Sequence, residues 1–463
     1  MSLSLRLAEH VATMPYEALT PAAIEAAKRS LLDALAVSLG ASGLEPACAP
    51  FVAQALAAQG APHCTILGFD EKAPAPLAAF ANGALAHALD YEDAYDGAPL
   101  HPNAALVPAA LAIAEARGGV SGREFLAALA TSCDLVCRLA LCVRTPAEAG
   151  GWYPPPIYAA YGATAAAARL LGLDARALLD AFTLTLCQAT CSGEIKNSPH
   201  AILRAVRDAF PAQTGVIAAQ IAARGAPGFD APFEGEFGFF RLFVAGDYDP
   251  DVLLRDLGQH FLGADVSFKP WPSCRGTHAF IEGALALRQA PDYAADAVER
   301  IDLRGGALQQ MLVKPIETKR APRTAIDAKF SLPYTVALAL THGRVALDDF
   351  TGEALADPAI LALAHRVHHD VTEEFGRGNA SSGVMSVHLR SGAVLARTVI
   401  EPRGAPANPM SWDDLVTKAI DCAARARRPW RETKTRRLAE IIAELERCDD
   451  VGAALAGALA PHS

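Results

Sequence analysis

The sequence predicts a mainly α protein with a smaller α+β unit inserted toward its C-terminal end, and three observations carry that reading. Residues 1–265 run as one Ala- and Leu-rich helical pattern after another. Over 266–404 the pattern changes to alternating polar and apolar residues around one helical stretch. Helical spacing returns over 405–463. A chain of 463 residues, 52% of them hydrophobic, exceeds what one core usually serves, so two domains are expected.

The elements have local signals. In "TPAAIEAAKRSLLDALAVSLG" Thr20 stands at an N-cap, Pro21 at the first helical position and Gly40 at the end, with Leu31, Leu32, Leu35 and Leu39 on one face. "SGREFLAALATSCDLVCRLAL" opens with Ser121 and Glu124 at capping-box spacing. "LDARALLDAFTLTLCQATCSG" predicts a helix from Asp174 to near Gly193. "VERIDLRGG" and "GVMSVHLRSGAVLARTVI" read as strands, the second turning at Ser391 and Gly392. "DAKFSLPYTVALALTHG" reads as helix after Pro333, and "EPRGAPANP" as the linker back to "SWDDLVTKAIDCAARA" and "RRLAEIIAELERC".

A net charge of −10 argues against nucleic acid or an anionic membrane as partner, so an anionic ligand needs a local basic pocket. The start "MSLSLRLAEHVATM" carries both signs of charge, and no long apolar run follows, so a cytoplasmic protein is expected. Ten cysteines without CxxC pairing fit reduced thiols, nine of them as small core residues.

Five polar islands offer chemistry. "HALDYEDAYDGAPLHPNAALVPAAL" sets Asp90, Glu92, Asp93 and Asp96 ahead of His101; the choice is between carboxylates that orient an imidazole and a helix end with solvated acids. "GGWYPPPIYAAYG" presents Tyr153 and Tyr158, either as ligand donors or as packing at a helix start. "EIKNSPHAILRAVRDAF" offers Lys196, His200, Arg204 and Arg207; Arg204 and Arg207 suit a carboxylate clamp or simply face solvent. "SFKPWPSCRGTH" groups Lys269, Cys274, Arg275 and His278. Two thiol and imidazole ligands make a weak zinc site; a thiol nucleophile or an anion site remains. "KPIETKRAPRTAIDAKF" adds Lys319, Arg320 and Arg323, or else an exposed basic loop.

Taken in order, "ALDYEDAY", "HPNAALVPAALAIAEARGGVSG", "YGATAAAARLLGLD", "FPAQTGVIAAQIAARG", "FKPWPSCRGTH", "DAKFSLPYTVALAL" and "APANPMSWDDL" resemble the MmgE/PrpD family, which includes 2-methylcitrate dehydratases, cis-aconitate decarboxylases and iminodisuccinate epimerases. The resemblance covers nearly the whole chain. It implies a large all-helical domain formed by both chain ends, a smaller α+β lid domain, an active-site cleft between them, a homodimer, and no metal or organic cofactor. It places the family's acidic and histidine pair on Asp90 and His101 and its lid lysine on Lys269.

The sequence departs from the decarboxylase pattern at Ala94 (a threonine there) and Cys274 (a histidine), from many members of the family at Tyr153 (a histidine) and from a family lysine at Arg204, while His278 matches other members. A phenol of pKa about 10 or a permanent guanidinium does not replace an imidazole without altering proton transfer. These departures disfavour decarboxylation. The expectation is a cofactor-independent lyase or isomerase of a small di- or tricarboxylate, with Asp90, His101, Lys269 and Cys274 catalytic and Tyr153, Arg204, Arg275 and His278 binding substrate. The rivals are a carboxylate-binding protein without catalysis and a hydrolase using Cys274 as nucleophile.

Overall fold

The structure is a computed structural model that describes residues 2–58, 60–198, 201–376 and 379–460. It is mainly helical and divides into two compact units, Met1–Val266 with Ser411–Ser463, and Ser267–Met410. Among the described residues no single helix is long and apolar enough to cross a membrane.

The first unit is built around helices buried on most sides. Pro21–Leu44 starts where expected, with Thr20 Oγ1 accepting from the Ala23 amide at 3.2 Å, and runs four residues past Gly40. Leu31, Leu32 and Leu35 are fully buried, each contributing about 1.5–3 kcal/mol. Gly122–Leu141 is capped by Ser121, which accepts from the Glu124 amide at 3.2 Å; the Glu124 carboxylate turns to Arg117, so half of the expected box forms. Ala175–Leu186 is capped by Asp174 but ends well before Gly193. The reason is a competing pairing: Tyr153 donates to the Cys191 carbonyl (2.9 Å) and Gly193 to the Gly151 carbonyl (2.8 Å), which draws 191–193 into an extended contact with 151–153.

The C-terminal stretch is woven into this unit. Helix Trp412–Ala424 approaches Pro21–Leu44 at two glycines, since a Cβ on Gly43 would lie 2.1 Å from the Arg425 carbonyl and one on Gly40 3.3 Å from Cys422. Its Lys418 ammonium, buried, sits 2.6 Å from Asp33 Oδ1 and donates to the Tyr91 carbonyl at 2.6 Å.

The second unit carries a four-stranded sheet in the spatial order Val367–Val371, Val298–Gly305, Gly383–Leu389, Val394–Val399. The first two strands are parallel and the other pairings antiparallel. Strict alternation buries Met385, Val387 and Leu389, and these pack with Phe280 and Ile281 of helix His278–Leu287 and with Leu338 of helix Leu332–His342. Gly392 makes the hairpin turn with φ +89°. At the unit's edge the Phe268 amide donates to the Gly404 carbonyl at 3.0 Å, and Gly404 holds φ +91° with no room for a Cβ, which would lie 1.9 Å from the Phe268 oxygen.

Six cysteines are buried, whereas Cys187 is exposed and Cys191, Cys274 and Cys448 are half-buried, so fewer belong to the core than expected. All ten are free thiols. The buried Lys418–Asp33 pair yields a stability test. Lys418→Met is expected to cost about 3–5 kcal/mol in urea unfolding by stranding the Asp33 charge, and adding Asp33→Leu to recover most of that loss.

Candidate active site

Helix Ala75–Ala88 ends at a turn in which Asp90 takes φ +49°, the left-handed conformation, and its amide donates to the His87 carbonyl at 2.8 Å. Glycine usually occupies such a position; aspartate tolerates it better than most residues, at a cost of about 1–3 kcal/mol. The turn folds the following acids inward. Asp90, Glu92 and Asp93 are all 0–1% exposed, so this is no solvated helix end; Asp96 alone is half-exposed.

His101 precedes helix Asn103–Arg117, and its side chain is 17% exposed. Its Nδ1 lies 2.9 Å from Glu92 Oε1 and 2.9 Å from the Asp93 carbonyl oxygen. Both neighbours accept, so Nδ1 carries the hydrogen, and in the neutral ring the lone pair is on Nε2, which has no partner among the described residues. The same Glu92 oxygen is 2.5 Å from His87 Nδ1, and the two imidazole centroids are 5.3 Å apart. Burial, and secondly the Arg207 charge, push the His87 pKa down, against the opposing pull of Glu92.

Tyr153 is fixed at the N-terminus of helix Pro154–Leu170 by its bond to Cys191. Its phenolic oxygen accepts from Arg207 Nη1 at 2.8 Å, and the Lys196 ammonium stands 5.6 Å from its ring. Arg207 is 3% exposed, with Nε 3.4 Å from Asp208 Oδ2, which lies 3.7 Å from His87 Nδ1. Tyr153, Arg207, Asp208, His87, Glu92 and His101 therefore form one buried polar chain. Arg204 is half-buried on the short helix Leu203–Val206. The expected two-arginine clamp does not lie on one helix, because that helix stops at Val206 and the next begins at Ala209. Tyr158 is 3% exposed and packs on Phe239. His200 lies outside the described residues.

His87, Asp90, Glu92 and His101 each offer a donor atom within 4.8 Å of the others, a set that suits a divalent transition metal. The two histidine contacts to Glu92 have the geometry of hydrogen bonds, so a metal would have to displace their protons.

In the second unit Lys269 is fully buried, and the half-buried Cys274 donates its amide to the Lys329 carbonyl at 3.0 Å. Arg275 donates to the carbonyls of Arg403 (3.0 Å) and Pro402 (3.3 Å), binding the return linker. Its Nη1 also lies 3.3 Å from His278 Nδ1, while His278 Nε2 lies 3.2 Å from the Ser273 carbonyl. An arginine only donates and a carbonyl only accepts, so these contacts call for the neutral Nε2-protonated ring. Arg275 thus holds the backbone of the return linker and His278 that of its own segment. Lys319 is buried and donates to the Phe330 carbonyl at 2.7 Å, and Arg320 donates to the Val367 carbonyl at 3.0 Å; of this basic group only Arg323 is exposed.

Asp93 is the second carboxyl behind His101. Its Oδ2 accepts from Asn103 at 2.5 Å and stands 3.5 Å from Ser30 Oγ. Burial pushes its pKa up to about 7, Asp33 and Glu92 adding to the rise against the lowering bond from Asn103. The folded chain thus keeps a proton that the unfolded chain releases near pH 4, so this group makes stability fall as pH rises from about 4 to about 7 and level off above. Asp93→Asn is expected to remove that fall, and at about pH 8 to unfold at higher urea than the parent; equal urea midpoints for the two at that pH would contradict this assignment.

Residues 5–251 match the MmgE/PrpD N-terminal domain and residues 271–446 the MmgE/PrpD C-terminal domain. A cis-aconitate decarboxylase-like protein, oryM, of Aspergillus oryzae is 26% identical over 407 residues, 82% of each chain. Cis-aconitate decarboxylases of Aspergillus terreus (22% over 447 residues, 92% of this chain and 90% of the relative) and Mus musculus (26% over 369 residues, 75% and 72%) are also similar. With both domain models matched in order along one polypeptide, the chain belongs to the MmgE/PrpD family.

Proposed function

We propose that the chain is a lyase or isomerase of a small di- or tricarboxylate that moves a proton at the carbon beside a carboxylate, using no metal or organic cofactor, in the manner of a 2-methylcitrate dehydratase or an iminodisuccinate epimerase. The observation that supports this most is His101: an imidazole with Nδ1–H pinned by Glu92 and the Asp93 carbonyl, and with Nε2 left unpartnered among the described residues. Nε2 takes the α-proton, the electron pair stays on the substrate as an enediolate, and Glu92 offsets the positive charge that appears on the ring. In dehydration the proton held on Nε2 is then available to the departing hydroxyl; in epimerisation a second group returns a proton on the opposite face.

Arg207 supplies a fixed guanidinium beside the Tyr153 phenol, and this pair is our choice for holding a substrate carboxylate, with Arg204 next to it in sequence. The family resemblance assigns Asp90 and Lys269 to the same catalytic set, Lys269 with the substrate's charge; Cys274, where the chain departs from the decarboxylase pattern, or Tyr153 is our choice for the second proton transfer of an epimerisation. Arg275 we assign to holding the return linker and His278 to the framework of its own segment. The relatives' names add decarboxylation of cis-aconitate, which also leaves a carbanion to be protonated. Ala94 and Cys274 set this chain apart from that pattern, and with Tyr153 and Arg204 they count against decarboxylation. The expected homodimer and cytoplasmic location belong to the same proposal.

The test is proton NMR in heavy water with citrate, 2-methylcitrate, cis-aconitate, aspartate-derived and tartrate-like acids. One of them is expected to lose its α-proton signal as an alkene or epimer grows, and His101→Ala to slow this on the order of 10²–10⁴-fold. Binding without any exchange would sink the reading and leave a carboxylate-binding protein.

A further inference from the structure

We propose that Glu92 is the positioning residue of His101 and that His87 sets how strongly it acts. This rests on reading His101 as the acid/base, and goes beyond it by choosing Glu92 among the four acids ahead of His101 and by adding His87, which neither spacing nor family resemblance singled out.

The carboxylate that contacts His101 Nδ1 is Glu92, at 2.9 Å, and the Asp93 carbonyl gives the ring a second acceptor in the same direction. Two acceptors on one nitrogen fix both ring orientation and tautomer. His87 Nδ1 meets the same Oε1 at 2.5 Å. It is fully buried, and since a carboxylate oxygen accepts, its Nδ1–H is directed at Glu92. A carboxylate oxygen that accepts two hydrogen bonds is a weaker base than one that accepts a single bond. Glu92 therefore stabilises the imidazolium of His101 without taking its proton. Other groups around this pair are Asp90 and Asp93 from the same loop, Arg207 and Asp208 from the segment between two helices, and Asp33 behind Asp93.

Two substitutions should move the same quantity in opposite directions. Glu92→Gln removes the anion, so the acidic limb of kcat/KM shifts to lower pH, kcat falls on the order of 10- to 10²-fold, and KM changes little. His87→Leu leaves Glu92 with one donor fewer, so that limb shifts to higher pH, and His87→Gln, whose amide can donate, restores the parent profile. A limb that stays in place in both Glu92→Gln and His87→Leu overturns the proposal.

A readout without substrate separates this from the reading of the reaction. In the ligand-free protein labelled with 15N-histidine, two downfield Nδ1–H proton resonances are expected. His87→Leu should abolish one, and Glu92→Gln should move the other upfield. Unmoved resonances in Glu92→Gln overturn the positioning role even if the enzyme turns over an acid. Resonances that respond as expected in a protein that exchanges no acid proton uphold the positioning and overturn the reaction instead.

Discussion

A single carboxylate oxygen shared by two imidazoles is the constraint around which the first unit is arranged. Glu92 Oε1 lies in an interior where an unsatisfied charge costs several kcal/mol, so its donors must arrive from fixed directions. Helix Ala75–Ala88 delivers His87 from its last turn, and the start of helix Asn103–Arg117 delivers His101. The loop between them, residues 89–102, is long for a helix–helix connection, and it turns sharply at its start to bring Glu92 onto both rings. The left-handed Asp90 is the local expression of that demand.

Polar groups behind the loop extend the same logic. Asn103 and Ser30 face Asp93, while Lys418 contacts both Asp33 and the backbone of Tyr91. A lysine more than 300 residues downstream thus holds the peptide next to Glu92. This couples the C-terminal helices to the site through hydrogen bonds to backbone atoms, which depend little on neighbouring side chains.

What could be read in the sequence was what depends on near neighbours. The caps at Thr20, Ser121 and Asp174 bond to amides within three residues, and strand alternation over 383–389 needs only one buried face. The mainly α architecture followed from those local rules. The site was legible as a neighbourhood but not as a geometry. Glu92 reaches His101 Nδ1 because a positive φ reverses the chain at Asp90, and Arg207 is buried against Tyr153 where a helix ends one residue before it. The pairing of 151–153 with 191–193 joins residues forty apart, and no local pattern announces it.

The bond between Phe268 and Gly404 has a further meaning for how such a chain is assembled. It ties the first residues of the second unit to its closing linker, so that the 144-residue stretch Ser267–Met410 has its two ends side by side. An insert closed on itself in this way imposes little loop entropy on its host and has its own hydrophobic core. Its core, its entry and its exit are thus all its own.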